Sequence, residues 1–331
     1  MARESKTLQV ALESKRYARS EVDMGDSDAG IDPTRSTSEG FSRRVFVGIS
    51  GATAALAAAA PVLAEDALGQ PHPGLVAEDD PALSVERPML SSQRPDGPFK
   101  LDAYAAAPRG AGPRTPGVVV VMAVWGVDAQ LRDTVRRLAK AGYAAVAPDL
   151  YTGLGAPSGD GTSDISAFRG AAVKLADATV DADLDAAAAW LRERGSERKL
   201  GVMGFCMGGG ITLRQTVDRP ETYRAASVFY GKVRYGTTDN NGPITPIALA
   251  YADEIAFPLV GSWGARDTSI KADDVRALSS RLSQLHKSHD IKVYEEAGHA
   301  FFDDTRQSYV ATSATDAWKR TLDAFGRHLA P

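Results

Sequence analysis

Several things that would narrow the function at once are missing from this sequence. There is a single cysteine in 331 residues, so no intrachain disulfide can form, and there is no Cys-X-X-Cys pair for a zinc knuckle or a dithiol redox centre. No excess of positive charge exists either: 38 Lys and Arg stand against 42 Asp and Glu, a formal net charge of -4, which argues against a basic nucleic-acid binder. The glycine clusters Gly153-Leu154-Gly155 and Gly208-Gly209-Gly210 do not match a phosphate-binding loop, and no repeat of fixed period is visible. The composition is otherwise ordinary for a globular protein, 44% hydrophobic and 24% charged, with length for one large domain or two small ones.

The first part of the chain does not read as part of the fold. Residues 1–40 are rich in Ser, Asp and Glu without a sustained apolar period, the composition of a disordered segment. Phe41-Ser42-Arg43-Arg44-Val45-Phe46-Val47 then opens an uncharged, Ala-rich run from Val45 to Ala64. Paired arginines, a mildly apolar stretch and small residues before a cleavage point resemble a twin-arginine export signal. The expectation is cleavage after Ala64 and export through the Tat machinery to the periplasm or outside the cell. An uncleaved leader would instead anchor the chain, although Ala and Gly contribute little insertion energy. Forty residues are long for the polar head of such a signal, so Met24 is an alternative start to Met1. Residues 1–64 hold eight basic and eight acidic residues, so the acidic balance belongs to residues 65–331.

Residues 65–97 carry many Pro, Asp and Glu and read as a loose arm with one edge strand near Ser84–Leu90. From residue 98 to 331 strands and helices alternate. Phe99–Ala106 alternates as a half-buried strand does, and Val118–Met122 is a β-branched run suited to a strand covered on both faces. Asp128 caps a helix carrying Leu131, Val135, Leu138 and Ala139. Next come Tyr143–Ala147 (strand), Ile165–Arg194 (one long helix), Lys199–Phe205 (strand), Met207–Val217 (helix) and Ala225–Tyr230 (strand). Phe257–Trp263 (strand), Ala272–His286 (helix), Ile291–Glu295 (strand) and Tyr309–Leu329 (helix) complete the series. The spacing predicts an α/β fold, a mostly parallel sheet with helices on both faces, in one domain because no linker interrupts the alternation.

In such sheets functional groups collect at the carboxyl ends of the strands. Gly204-Phe205-Cys206-Met207-Gly208-Gly209 sits between a strand and a helix, the setting of a nucleophile elbow with Cys206 in the usual serine position. The turn lifts the side chain clear of the sheet, the glycines let neighbouring backbone pass, and the helix N-terminus favours a thiolate. Outside that setting, a free cysteine is more often a buried small hydrophobe. A thiol needs a base and the base an orienting group. His299 comes after the strand Ile291–Glu295 and Asp267 after Phe257–Trp263, in the chain order of α/β-hydrolases. The competing readings are a surface-loop histidine for His299 and a cap of the helix near Ala272 for Asp267. His286 and His289 are too few for a metal site, and no metal is expected. Oxyanion donors in this setting are the backbone N–H of Met207 and one just past Val118–Met122, from Val124 or Trp125. Trp125 there reads equally as substrate-binding or as packing.

The residues resemble the dienelactone hydrolase family, from about Phe99 to Leu329. The resemblance rests on Val124-Trp125-Gly126-Val127, Ala147-Pro148-Asp149-Leu150-Tyr151, the Gly-Phe-Cys-Met-Gly-Gly elbow, and Tyr294 to Phe301. It implies an α/β-hydrolase fold, Cys206, Asp267 and His299 as catalytic triad, oxyanion N–H groups from Val124 and Met207, and no cofactor. Two positions depart from the family pattern. The glutamate that helps activate the thiol in dienelactone-opening enzymes is Ala123 here. Where members acting on carboxylate-bearing lactones have a clamping arginine a few residues after the histidine, this sequence offers Phe302, Asp303 and Asp304 before Arg306, a pattern that does not fit an anionic lactone. The leading expectation is an exported carboxylic ester hydrolase acting on a small-molecule ester or lactone through a thioester on Cys206. The alternative, motivated by Ala123, is a non-catalytic member that uses the cleft to bind. A thiol redox sensor lacks a resolving cysteine. The loops Thr152–Ser163 and Lys232–Glu254 are the candidate specificity lids.

Overall fold

The computed structural model describes residues 75–196, 200–234 and 247–329. The export-signal reading (1–64), the start of the arm and the centre of the second lid loop (235–246) lie outside these described residues. Nine strands form one sheet among them: β1 (Leu83–Glu86), β2 (Met89–Arg94), β3 (Gly97–Pro108), β4 (Gly117–Val121), β5 (Ala144–Pro148), β6 (Leu200–Phe205), β7 (Tyr223–Phe229), β8 (Leu259–Gly264) and β9 (His289–Tyr294). The helices are α1 (Ala129–Lys140), α2 (Ser166–Ala172), α3 (Asp177–Glu193), α4 (Met207–Asp218), α5 (Ala272–Gln284) and α6 (Ala311–Leu329), with a 3-10 turn at Ile247–Asp253.

The strand order is β1-β3-β5-β4-β6-β7-β8-β9, with β2 paired to β3. Pairing is antiparallel among β1, β2, β3 and β5, and parallel from β5 through β4, β6, β7 and β8 to β9. Every residue of β4, β5, β6 and β8 is buried, which is why these segments read as continuous apolar runs rather than alternating ones. Winding reverses at the centre: from β4 the chain crosses outward to β5, then returns to β6 on the other side of β4. Right-handed crossovers therefore put α1 on one face and α3 and α4 on the other, where Arg214 of α4 pairs with Asp181 of α3. That reversal makes the carboxyl ends of β4 and β6 the topological switch point, where such sheets open a crevice.

Two expectations are corrected. The stretch 65–97 is not loose from Leu83 onward: β1 pairs with the end of β3, and β2 turns back at Pro95-Asp96 to pair with its beginning. Arg94 fixes this hairpin to α3 by a bidentate bond to Asp183, at 3.0 and 2.8 Å, while its guanidinium lies 3.5 Å over the Phe99 ring. The polar residues that suggested a loose arm are ordered by partners far along the chain. The single helix Ile165–Arg194 is also two. α2 buries Phe168 and Ala171, whereas α3 buries Val180, Leu184, Ala187, Ala188 and Leu191, and Phe168 packs toward Trp125 and Tyr151. Because the two apolar stripes dock on different partners, the chain turns between them, with Ala176 extended (ψ 140°) before Asp177 opens α3. The remaining elements stand within a few residues of their expected bounds. No helix among the described residues is long and apolar enough to cross a membrane.

Candidate active site

Cys206 links β6 to α4 with φ 52° and ψ -114°, a left-handed backbone that costs a non-glycine residue roughly 1–3 kcal/mol. It is held there from both sides. Its N–H donates to the Phe229 carbonyl of β7 at 3.0 Å, and its carbonyl accepts from Gly210 N at 3.1 Å. The crossing is too tight for side chains: a Cβ on Gly204 would lie 2.2 Å from the Gly208 oxygen, and one on Gly208 would lie 2.4 Å from the carbonyl oxygens of Val121 and Met122. The start of α4 is thus pressed onto the end of β4. As N-cap of α4, Cys206 stands at the positive end of the helix, and its side chain is half-buried.

His299 and Asp267 come to the same place from β9 and β8. His299 Nδ1 is 2.6 Å from Asp267 Oδ2, and Cys206 stands close enough to act on the ring's titration. The Asp267 side chain is fully buried, whereas that of His299 is 30% exposed. Asp267 does not cap α5, whose N-cap is Lys271; its Oδ1 accepts from Ser269 N at 2.8 Å and Ile270 N at 3.0 Å. Those bonds anchor the carboxylate so that Oδ2 faces the imidazole. Burial would push the titration of His299 down, but the hydrogen bond with Asp267 and the nearness of Cys206 outweigh it and hold the ring's value up at about 10. The Tyr230 ring, 5.2 Å from the imidazole centroid to centroid, walls one side.

The turn after β4 brings the backbone. Gly126 N donates to Ala123 O at 3.1 Å, closing a four-residue turn with Val124 and Trp125 at its centre, and Gly126 takes φ +75°. The N–H of Met207 lies in the first turn of α4, where a helix offers it no internal acceptor. The Tyr151 hydroxyl donates to Val124 O at 3.1 Å and lies 3.9 Å from Met207 Sδ, joining the two segments expected to supply oxyanion donors. Trp125 is half-buried; its ring meets Phe168 edge-on at 5.4 Å, and the Arg306 guanidinium lies 3.9 Å from its centroid.

Arg306 ties three loops together. Its Nε donates to Asp303 Oδ2 at 3.0 Å and a terminal nitrogen donates to Thr162 O at 3.1 Å, in the first lid loop, while another stands 4.0 Å from Asp128 Oδ2. Asp128 caps α1 as expected, accepting from Leu131 N at 3.0 Å. Its burial, with Asp303 facing it, raises its carboxyl to about 7 despite the cap bond and Arg306. Among the described residues, no cluster of three or more His, Cys, Asp or Glu could hold a metal.

Of the expected site residues, His299 and Asp267 are hydrogen-bonded, Cys206 stands close to the imidazole on the elbow, and Val124, Trp125 and Met207 lie at the same edge. Tyr151, Tyr230 and Arg306 were not expected in these roles. Tyr151 was legible in part, since it lies just past β5 at the same carboxyl edge; Tyr230 likewise lies just past β7. Arg306 was legible only as the first arginine after His299; its contacts with Trp125, Thr162 and Asp128 come from distant segments.

The sequence profile described as "Dienelactone hydrolase family" matches residues 101–329. A protein of Salmonella typhimurium whose assigned name is carboxymethylenebutenolidase is 36% identical over 257 residues, 77% of this chain and 92% of its own length. One of the same assigned name from Methylorubrum extorquens is 34% identical over 291 residues, 87% of this chain and 94% of its own. The crystal structure of a protein from Klebsiella pneumoniae assigned as a dienelactone hydrolase superposes with a TM-score of 0.64 at 34% identity, covering 75% of this chain and all of that one (100%). With the α/β-hydrolase sheet and the family match over residues 101–329, the chain belongs to the dienelactone hydrolase family and is a carboxylic ester hydrolase of that type.

Proposed function

We propose that the chain hydrolyses ester or lactone bonds through a thioester on Cys206. The carrying observation is the 2.6 Å hydrogen bond of His299 with Asp267, with Cys206 close by on the elbow at the switch point of the sheet. In the first half-reaction His299 takes the thiol proton and the sulfur attacks the carbonyl carbon. The carbonyl oxygen becomes an oxyanion facing the N–H groups of Val124 and Met207. When the intermediate collapses, the C–O bond breaks and His299 returns the proton to the departing alcohol oxygen; in a lactone that alcohol stays tethered to the acyl group. Water, losing its proton to His299, then attacks the thioester, and the thiol leaves with that proton. Asp267 keeps the ring in the tautomer and orientation that both halves require.

Hydrolysis of p-nitrophenyl acetate and of a panel of neutral lactones by the wild type and by Cys206→Ala tests this. Loss of turnover in the variant is expected, and unchanged turnover overturns the mechanism. The non-catalytic reading motivated by Ala123 makes a different prediction: iodoacetamide should alkylate Cys206 no faster than it alkylates glutathione. Its support is that one missing glutamate, whereas the base and its orienting carboxylate are both in place.

The proposal includes export by the twin-arginine route, supported by Arg43-Arg44 and the uncharged run to Ala64. Residues 1–64 fused to a reporter should deliver it to the periplasm, and Arg43→Lys with Arg44→Lys should abolish delivery. Delivery by the double variant overturns this part.

A further inference from the structure

We propose that the Tyr151 hydroxyl is the positioning group of the oxyanion hole, holding the Val124–Trp125 peptide in one orientation beside the start of α4. The inference rests on the thiol-hydrolase reading above and deepens it.

Tyr151 is itself held firmly. β5 ends at Pro148, and the chain turns at once: Asp149 Oδ1 accepts from Tyr151 N at 3.0 Å, and Tyr151 O accepts from Leu154 N at 2.9 Å. The residue is 4% exposed. Its ring lies against Gly126, where a Cβ would stand 3.6 Å away, and 6.4 Å from the Phe168 ring, centroid to centroid. A phenol in such surroundings requires a hydrogen-bond partner, and this one finds Val124 O at 3.1 Å, with Met207 Sδ at 3.9 Å. Burial, and then the neighbouring Cys206, push its titration up, so the hydroxyl keeps its proton and remains a donor.

The bond matters because of where Val124 sits. Val124 and Trp125 are the central residues of the turn closed by Gly126 N and Ala123 O. The peptide between the two central residues of a β-turn is the one that rotates between type I and type II forms, exchanging the directions of its carbonyl and its N–H. With the Val124 carbonyl on the Tyr151 hydroxyl, that rotation is blocked. The backbone on both sides of the peptide, including the Val124 N–H, then has one arrangement relative to Met207. Oxyanion donors act because they are already in place when charge develops, and a displacement of the order of 1 Å is costly. A group that fixes the turn without touching the reacting atoms acts on the transition state while leaving the thiol and ground-state binding alone.

The test uses the full chain, wild type and Tyr151→Phe, a change that keeps the ring and removes one oxygen. Three readouts are compared: steady-state hydrolysis of p-nitrophenyl acetate, the rate of Cys206 alkylation by iodoacetamide, and the melting temperature. The expected result is a fall in kcat of about ten- to a hundredfold with KM changed by less than about twofold. Alkylation should proceed at the wild-type rate, because displacement at a saturated carbon develops no oxyanion. A kcat equal to wild type overturns the proposal. So does a raised KM at unchanged kcat, which would make the hydroxyl a substrate contact, and so does a parallel loss of alkylation, which would place its effect on the thiol. A fall in melting temperature that accounts for the whole loss of activity also overturns it. If Cys206→Ala hydrolyses as fast as wild type, the thiol mechanism falls and this inference with it. If hydrolysis depends on Cys206 and Tyr151→Phe is unimpaired, only this inference falls.

Discussion

Replacing Asp267 with Asn tests the His299–Asp267 pair more sharply than deleting a member of it. The amide has the size of the carboxylate, and its oxygen can keep the bonds from Ser269 N and Ile270 N, at 2.8 and 3.0 Å. Its NH2 then faces His299 Nδ1, which 2.6 Å from Oδ2 can no longer donate and must accept. Two losses result. The first is charge: His299 is held at about 10 against an ordinary 6.5, and 1.36 kcal/mol per unit makes that about 5 kcal/mol of preference for the imidazolium. Asp267 and Cys206 together produce it against the opposing effect of burial, so removing the carboxylate withdraws part of that preference and slows the reaction. The second is the tautomer: with Nδ1 accepting, the other ring nitrogen carries the proton and cannot take one from Cys206. In a serine triad this pair of losses lowers kcat by roughly 10⁴. A thiol is more acidic than an alcohol and depends less on its base, so kcat for p-nitrophenyl acetate should fall by about 10² to 10⁴ in Asp267→Asn. A fall of less than about fivefold in a variant that melts near the wild-type temperature would refute the role given to Asp267.

Packing dictates two further outcomes. Asp128 is buried with its carboxyl raised to about 7 from 3.8, so the folded state binds its proton more tightly than the unfolded state does. That contribution is fully present below the unfolded value near 3.8 and is lost as pH rises through about 7; above it, ionisation costs up to about 4 kcal/mol. Asp128→Asn keeps a good helix cap, so its melting temperature should exceed wild type at pH 8, and the gap should narrow by pH 5 and close only near pH 4; an equal gap at pH 8 and pH 5 would contradict this. Gly204→Ala should cost about 3 kcal/mol or more, because the new methyl would stand 2.2 Å from Gly208 O and 2.6 Å from Thr212 Oγ1, and an unchanged urea midpoint would show the elbow to be looser than described.

Legibility in the sequence tracked the reach of the interactions. Strand–helix alternation is local, so the buried β-branched run of β4 and the apolar stripe of α1 could be read directly. The elbow was readable because its glycines and Cys206 are contiguous. His299 and Asp267 were placed by their position after strands, a topological argument that needs no coordinates. Their 2.6 Å contact across 32 positions was not readable, nor was the full burial of the Asp267 side chain. The break between α2 and α3 escaped for a related reason: periodicity continues through it, and only the separate docking of Phe168 and Leu184 requires it. The ordered hairpin of β1 and β2 escaped because its polar residues find partners such as Asp183, 89 positions from Arg94.

The order of the elements, the cysteine at the strand–helix turn and the family to which the pattern points were determined by the sequence alone. All of these are encoded in short spans, where hydrophobic periodicity and turn chemistry act between near neighbours. The tertiary structure alone decided which side chains complete the site. Tyr151 bridges the oxyanion turn and α4, Tyr230 walls the imidazole, and Arg306 joins Trp125 to the loop after His299. Those contacts form where the winding of the sheet reverses, which brings the ends of strands distant in sequence to one edge, and no local pattern of residues carries that information.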